Sequence, residues 1–380
     1  MPLVAAGHKR TGACPTFDRP VLQRDGTLLR VPLVGGRLSS QAAVAIAGIS
    51  AEHGNGIIEL TNRGNLQVRG LRTAAMGPIT DHLRHLGLGH PDAALVTISP
   101  FANSDEHHVR ARVVGALHDL LADGIELSPK FVVHVDDAAG TTSSRRAEAV
   151  LALTGAGVRV DIDQLGTTTT SAADAVDLVV ALAEACRRVA PDARVADILQ
   201  ACGPGWLHAV LPADLAPLAV GSSRRGRTPG VGRYLGPCGE RLLLAGARFG
   251  RTDAGALSAL SVHHDELRIT PWRSIAFTEP ANPASRLLLE ESLEAIGLIV
   301  DPADAAADVI SCIGAAGCWQ TEADTWVEAE RVVASRANDP QAQRGPIHIS
   351  GCDKRCATRG PMAVTYVGRT DGSGFDQVVG

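Results

Sequence analysis

Apolar and polar positions alternate in several short segments of the chain, and one order of predicted elements occurs twice. The first occurrence runs from Gly26 to Leu71, where a strand and a helix are followed by two further strands. Ser39 or Ser40 can cap the start of the predicted helix, and Gly54 marks its end. The predicted elements are a strand over 26–33, a helix over 41–54, and strands over 56–61 and 65–71 that flank a tight turn.

A weaker copy of this order occupies residues 239–278. Arg251 aligns with Arg37, and Thr270 aligns with Thr61 after one short deletion. The repeated order of elements, more than the few identical residues, predicts an internal duplication.

An α/β pattern lies between the two copies, and a further helix follows the second copy. Four amphipathic or apolar runs predict helices, and two β-rich runs predict strands. The predicted helices cover 106–124, 146–157, 171–190 and 285–300, and the predicted strands cover 128–137 and 158–162.

Length and composition limit the classes of protein to which the chain can belong. With 380 residues, 45% hydrophobic and 20% charged, the chain is long and apolar enough for two or three folded domains. A net charge of −5 without a basic half argues against a nucleic-acid partner. Neither a signal-peptide pattern nor an apolar run of about 18 residues is seen, so we expect a cytoplasmic location without membrane contact.

Four of the eight cysteines form two close pairs, C-x5-C and C-x3-C, separated by 33 residues. Four thiolates suit an iron–sulfur cluster or a zinc ion. Structural zinc pairs usually have two to four intervening residues, so the first pair favours a [4Fe–4S] cluster over zinc or no metal. We expect the second pair to share one face of a helical turn. The predicted ligands are Cys312, Cys318, Cys352 and Cys356.

The turn at residues 61–67 has the pattern T-x-R-x-N-x-Q. Together with the cysteine spacing, this pattern resembles the nitrite and sulfite reductase superfamily, and the duplication and both motifs follow the family's order over nearly the whole chain. The segments TGACP, DGTLLRVPLVGGRLS, ISPFA and HISGCDKRCA are further similar to one branch, the precorrin-3B synthases of aerobic cobalamin biosynthesis.

The resemblance implies an α+β fold in which duplicated ferredoxin-like half-domains accompany α/β iron–sulfur domains of the sulfite reductase hemoprotein type. The implied parts are a first ferredoxin-like half-domain over 14–90, a first α/β domain over 91–222, a linker or loop over 223–235, a second ferredoxin-like half-domain over 236–285, and a [4Fe–4S] cluster-binding domain over 286–380.

The resemblance also implies a tetrapyrrole substrate or cofactor ringed by carboxylates. Guanidinium groups bind carboxylates bidentately, and with a net charge of −5 the positive charge must be concentrated in a cleft. Pro32 and Val132 fall where the reductases often carry further basic residues, which disfavours six-electron reduction of an inorganic anion. The candidate substrate-binding residues are Arg30, Arg37, Arg63, Asn65 and Lys130.

For the reaction, the resemblance implies oxygen-dependent hydroxylation of precorrin-3A at C-20 with closure of a lactone. The expected cofactors are a [4Fe–4S] cluster, a mononuclear non-haem iron that activates O2, and NADH as the ultimate electron donor. No G-x-G-x-x-G fingerprint follows a strand, so we expect a separate electron-transfer partner protein. A sirohaem-dependent sulfite or nitrite reductase, with Cys356 bridging cluster and haem, is one alternative, and a non-catalytic iron–sulfur or tetrapyrrole-binding protein is another.

Overall fold

The computed structural model describes most of the chain and divides it into two compact units. One unit comprises the described residues up to Gly89 and those after Arg227, and the other comprises those from His90 to Gly226. The described residues are 15–89, 95–122, 127, 131–137, 147–162, 166–189, 195, 199, 203, 235–238, 242–278, 280, 282–339, 345–357 and 362–379. The predicted linker over 223–235 lies outside them except for its last residue, and the five-part domain division stays a prediction.

The elements follow the predicted order in both copies. The first copy contains β1 (Val21–Gln23), β2 (Gly26–Val31), β3 (Arg37–Ser39), α1 (Ser40–His53), β4 (Ile57–Leu60), β5 (Leu66–Leu71) and α2 (Met76–His85). The middle stretch contains β6 (Val96–Ile98), α3 (Ser104–Ala122), β7 (Val133–Asp136), β8 (Ala149–Thr154), β9 (Gly157–Ile162), β10 (Gly166–Thr170) and α4 (Ala172–Val189). The second copy and the C-terminal region contain β11 (Gly236–Cys238), β12 (Leu242–Ala247), β13 (Arg251–Asp253), α5 (Ala254–His263), β14 (Glu266–Ile269), β15 (Ser274–Thr278), α6 (Pro283–Ala295), β16 (Leu298–Ile299), β17 (Val309–Ser311), α7 (Thr325–Asn338), β18 (Ile347–Ser350), β19 (Val364–Gly368) and β20 (Phe375–Val379).

The two copies exchange one short strand each. Sheet 1 has the order β1-β2-β5-β4-β13, so its last strand comes from the second copy. Sheet 2 has the order β11-β12-β15-β14-β3, so its last strand comes from the first copy, and β16 pairs with β12 beside that path. Each sheet is therefore complete only when both copies are present.

The strand registers of the two sheets correspond residue by residue. Arg30 lies opposite Gln67 in sheet 1, and Leu244 lies opposite Ala276 at the corresponding place in sheet 2. The helix starts correspond as well, because the Ser39 hydroxyl accepts from the amide of Ala42 at 3.2 Å as the Asp253 carboxylate accepts from that of Ala256 at 2.9 Å. These correspondences confirm the predicted duplication and the α+β fold class.

One hydrophobic core serves both copies. Leu29, Val68 and Ile46 of the first copy belong to the same buried cluster as Leu243 and Phe277 of the second. This core covers only one face of each sheet, because side chains alternate along a strand. The opposite face of sheet 1 is left for polar residues.

The second unit is an α/β layer with its own core. Sheet 3 has the order β10-β9-β8-β7-β6, and residues of α3 and α4 pack in one cluster with it. The helix predicted over 146–157 is wrong, since Ala149–Thr154 form β8, a buried strand between β7 and β9. A continuous apolar run of this length suits a strand covered on both faces as well as a helix.

The C-terminal region forms sheet 4, in the order β17-β18-β19-β20, with α7 packed on it. Strands β17, β18 and β19 run parallel, and β20 is antiparallel. The helix predicted over 285–300 ends at Ala295, and β16 follows it. Within the part of the chain that the structure describes, no helix has the length and apolarity needed to span a bilayer.

Candidate functional site

A row of polar side chains crosses the face of sheet 1 that points away from the core. Strand register places Arg30 opposite Gln67, Gln67 opposite Glu59, and Glu59 opposite Arg251 of the second copy. Arg69 lies two residues along from Gln67 and so shares its face. Leu244, Ala276, Arg268 and Arg37 occupy the corresponding row of sheet 2, so only sheet 1 carries the dense polar set.

The polar row of sheet 1 is organised by a buried ion network. The Arg69 guanidinium donates to the Asp25 carboxylate at 2.9 Å and to the Glu59 carboxylate at 3.1 Å, and its side chain is 3% exposed. Arg251 approaches the other oxygen of Glu59 at 3.7 Å. Burial acts to raise the pKa of Glu59, but the charges of Arg69, Arg251 and Arg273 outweigh it, so that the pKa is lowered. Glu59 is therefore an ionised carboxylate held between guanidinium groups.

The two cysteine pairs begin at the same edge of sheet 4. Cys312 follows β17, and Cys352 follows β18 two residues after the strand ends; because these strands are parallel neighbours, their loops lie side by side. The Cys312 amide donates to the Ile349 carbonyl at 3.1 Å, and the Gly351 amide donates to the Cys312 sulfur at 3.2 Å. The fold therefore brings the two cysteine loops together.

Within the part of the chain that the structure describes, none of these four cysteines is in a disulfide. Burial raises the pKa of Cys318, and the nearby Cys312 and Cys352 raise it further. Burial likewise raises the pKa of Cys352, with Cys312 adding to the effect. Cys356 is exposed, and Arg355 between the two cysteines has left-handed backbone with φ of 46°, so the helical turn expected for the second pair is wrong.

The donor set has the chemistry of an iron–sulfur site. Amide N–H groups point at sulfur, from Gly351 to Cys312 as above and from Gln320 to Cys318 at 3.4 Å, as cluster sites commonly show. A Cβ on Gly351 would lie 2.5 Å from the Thr321 side chain, so the loop needs glycine there. Among the described residues, no three Cys, His, Asp or Glu side chains are gathered closely enough to hold a single metal ion. Four cysteines outside any described disulfide fit a [4Fe–4S] cluster, which takes one thiolate at each of four irons.

Four arginines from the duplicated half-domains bind the backbone of the cysteine loops. Arg24 donates to the Ala315 carbonyl at 3.3 Å, and Arg69 to the Gly317 carbonyl at 3.2 Å. From the second copy, Arg251 donates to the carbonyls of Ser311 (at 2.9 Å) and Cys312, and Arg273 donates to that of Ala357. None of these four arginines was among the site residues predicted from the sequence, although the repeat aligned Arg251 with Arg37.

The hairpin with the T-x-R-x-N-x-Q pattern follows β4 at one end of the polar row. The Thr61 hydroxyl accepts from the amides of Arg63 at 3.2 Å and Asn65 at 3.1 Å. The Asn65 side-chain oxygen accepts from the Leu33 amide at 3.0 Å, so this buried residue ties the hairpin to the segment after β2. The half-buried Arg63 side chain is thus carried by a turn that hydrogen bonds hold in shape.

The structure separates the remaining predicted substrate-binding residues. Arg30 lies in the polar row of sheet 1, close enough to Arg273 for its charge to lower the pKa of that residue. Arg37 is on the exchanged strand β3 of sheet 2, where its guanidinium pairs with Glu266 at 2.9 Å. Lys130 lies outside the described residues. Arg30 and Arg63 therefore remain the two candidates associated with sheet 1, and Asn65 supports the hairpin.

Known proteins match this chain in sequence and in fold. A family model described as the nitrite/sulfite reductase ferredoxin-like half domain matches residues 21–86. A precorrin-3B synthase of Sinorhizobium sp. is 25% identical over 390 aligned positions that cover 96% of this chain and 82% of that protein. The structure of the Mycobacterium tuberculosis NirA protein matches with a TM-score of 0.67 and 19% identity, covering 92% of this chain and 73% of that one. The resemblance inferred from the sequence is confirmed.

Proposed function

We propose that this protein hydroxylates precorrin-3A at C-20 in an oxygen-dependent reaction and closes a lactone, giving precorrin-3B in cobalamin biosynthesis. In this reaction one atom of O2 enters the product and the other leaves as water, and NADH supplies the two electrons through a partner protein. The likeness to a precorrin-3B synthase over 96% of the chain supports this choice among the reactions of the superfamily.

One structural observation carries the proposal. The polar face of sheet 1 is joined to the first cysteine loop by Arg69 and Arg251, whose guanidinium groups bind the carbonyls of Gly317, Ser311 and Cys312. The surface proposed to bind a polycarboxylate and the four proposed cluster ligands are thus parts of one compact unit. A tetrapyrrole oxidised by single-electron steps requires both.

The side chains of this chain have separable roles in the proposal. Arg30 and Arg63 bind carboxylates of the macrocycle, since a guanidinium offers two parallel N–H groups to a carboxylate. The buried pair of Arg69 and Glu59 sets the position of the polar row. Cys312, Cys318, Cys352 and Cys356 hold the [4Fe–4S] cluster, which supplies electrons one at a time when bound.

The expected mononuclear iron that activates O2 has no assigned ligands. No group of three Cys, His, Asp or Glu side chains suited to a single ion occurs among the described residues.

A sirohaem-dependent sulfite or nitrite reductase is the second candidate function. The half-domain match at residues 21–86 and the fold shared with the NirA protein favour it as much as they favour the first. Acid extraction of the anaerobically purified protein separates the two, because a reductase of this kind releases sirohaem in a stoichiometric amount. Recovery of sirohaem at one equivalent rejects the hydroxylase proposal.

An assay with precorrin-3A then separates an enzyme from a non-catalytic binding protein. We expect product only when O2 and a reductant are both supplied, with a mass gain of one oxygen atom. Tight binding without turnover under those conditions supports the binding protein instead.

The cluster assignment has its own test. Cys356→Ala is expected to abolish the brown chromophore together with its iron and acid-labile sulfide, whereas Cys238→Ala, outside the two pairs, should keep all three. Equal iron and sulfide in both variants contradicts the assignment of the four thiolates.

A further inference from the structure

At three corresponding positions, both copies of the duplicated unit have left-handed backbone, but at two of them only the first copy has glycine. Gly35 and Phe249 correspond, with φ of 60° and 55°, and Gly64 and Arg273 correspond, with φ of 64° and 60°. The third pair is Gly36 and Gly250, which are glycine in both copies. Left-handed backbone costs a non-glycine residue on the order of 1–3 kcal/mol. The second copy therefore bears strain at two places where the first copy has glycine.

Phe249 has a packing function that accounts for its side chain. It belongs to the hydrophobic cluster of sheet 4, together with Val309 and Ile349. Its backbone also forms an isolated parallel bridge with Ile310 of β17. The strained position thus places an aromatic ring of the second half-domain in the core beneath the cysteine loops.

The side chain of Arg273 acts through hydrogen bonds instead of apolar packing. Its guanidinium binds two backbone carbonyls. Nη1 donates to the Leu60 carbonyl at 2.5 Å, and Nη2 donates to the Ala357 carbonyl. The residue is 8% exposed. A Cβ on Gly250 would lie 2.6 Å from the Arg273 side chain, so glycine there leaves the room the arginine needs.

The two carbonyls belong to the two parts of the proposed site. Leu60 is the last residue of β4 and immediately precedes the Thr61–Asn65 hairpin, which carries Arg63. Ala357 immediately follows Cys356. One planar guanidinium, with donors in a rigid fork, therefore fixes the distance between the hairpin and the second cysteine loop.

We infer that Arg273 is a positioning residue that couples the Thr61–Asn65 hairpin to the loop of Cys352 and Cys356. Arginine makes this link at the cost of backbone strain. Glycine, the corresponding residue of the first copy, avoids the strain but has no side chain to make the link. The positive charge of Arg273 also lies beside the second cysteine loop, because Nη2 binds the carbonyl of Ala357, the residue after Cys356. The inference rests on the proposed function only in taking the four cysteines as cluster ligands.

Hydrogen exchange of the purified holoprotein tests the coupling directly. In Arg273→Gln, we expect the amides of residues 61–66 and of residues 352–357 to exchange at least about tenfold faster, both segments together, while α1 and sheet 3 keep wild-type rates. Arg273→Gly removes the strain along with the side chain, folds without a left-handed penalty, and should show the same paired increase. Unchanged exchange in either segment of either variant overturns the inference.

A redox titration measures the midpoint potential of the cluster, which responds to the charge of Arg273 as well as to its packing. Removing a buried positive charge near the thiolates disfavours the reduced cluster, so the midpoint potential of Arg273→Gln should be more negative than that of the wild type. Arg273→Lys keeps the charge without the two-pronged fork, and it should restore the potential while leaving residues 61–66 in faster exchange. A wild-type potential in Arg273→Gln rejects the charge contribution and with it the inference.

Arg248→Gln is the matched control. Arg248 also joins the second copy to the C-terminal region, but through an exposed pair with Glu330 at 2.6 Å. It should change neither the exchange of the two segments nor the potential, and effects equal to those of Arg273→Gln overturn the inference. If the wild-type protein contains no iron, the proposed function fails, whereas the exchange experiment still reports on the coupling.

Discussion

Replacing His348 by leucine is predicted to remove a specific pH dependence of stability. His348 lies in β18, is fully buried, and has no hydrogen-bond partner for either ring nitrogen among the described residues. Burial, reinforced by the charges of Arg273 and Arg355, lowers its pKa to about 3. The imidazole is therefore neutral in the folded protein throughout the neutral and mildly acidic range.

The sign of the pH effect follows from comparing the two states. The unfolded chain binds a proton at this histidine below about pH 6.5, whereas the folded chain does so only near pH 3. The stabilising contribution is therefore complete above pH 6.5 and is lost as the pH falls toward 3. From pH 7.5 to pH 5.0, His348 alone should cost the protein about 2 kcal/mol of unfolding free energy.

Leucine has a similar volume and no proton to bind. His348→Leu should abolish that 2 kcal/mol difference, and at pH 7.5 it should raise stability by about 1–3 kcal/mol because two unsatisfied buried nitrogens disappear. Urea unfolding of both proteins at pH 5.0, 6.0 and 7.5 measures the effect. His82→Gln, at an exposed position on α2, is the control and should keep the wild-type pH dependence. Equal pH dependence in wild type and His348→Leu refutes the reasoning, as does a less stable leucine variant at pH 7.5.

Four further variants test separate parts of the molecule. Arg63→Ala should weaken precorrin-3A binding by about tenfold to a hundredfold, with iron and sulfide unchanged, and unaltered affinity removes Arg63 from the substrate site. Gly36→Ala should cost more than about 2 kcal/mol in urea unfolding, because its φ is +70° and a Cβ would lie 1.9 Å from the Ile269 carbonyl oxygen; Gly48→Ala, where a Cβ meets nothing within 4 Å, should instead stabilise the protein by about 0.5–1 kcal/mol. Asp253→Ala should lower stability by about 1 kcal/mol through loss of the α5 cap, and an unchanged urea midpoint contradicts that assignment.

The duplication was predictable from the sequence, whereas the strand exchange was not. The spacing of apolar residues predicts the order strand, helix, strand, strand in each copy. This spacing is the same in both copies even where corresponding residues such as Arg30 and Leu244 differ. The exchanged strands β3 and β13 are three residues long. A segment so short has no period of its own, so the sequence does not specify which sheet it joins.

The four cysteines could be selected from the sequence because cluster chemistry depends on residue type and spacing, and their role as cluster ligands stays a prediction. The arginines that bind the loop carbonyls could not be predicted, because every residue has a backbone carbonyl and the sequence does not indicate which one an arginine binds. Arg273 illustrates the difficulty, since it occupies a left-handed position that favours glycine and its two partners, Leu60 and Ala357, are far away along the chain. The helix wrongly predicted over 146–157 has the same origin, because tertiary burial between β7 and β9 decides the conformation of that apolar run.

The exchange of β3 and β13 delays the completion of sheet 1 while the chain is being synthesised. Strand β4 emerges early, but its outer partner is completed only when Asp253 has been made, after the entire second unit. Until then β4 presents unpaired backbone groups, which are a ready template for pairing with another nascent chain. Such distant pairing also slows folding, because a long loop must close first. The protein is therefore expected to depend on chaperones more than two independent half-domains would, and a fragment that stops before β13 is expected to aggregate.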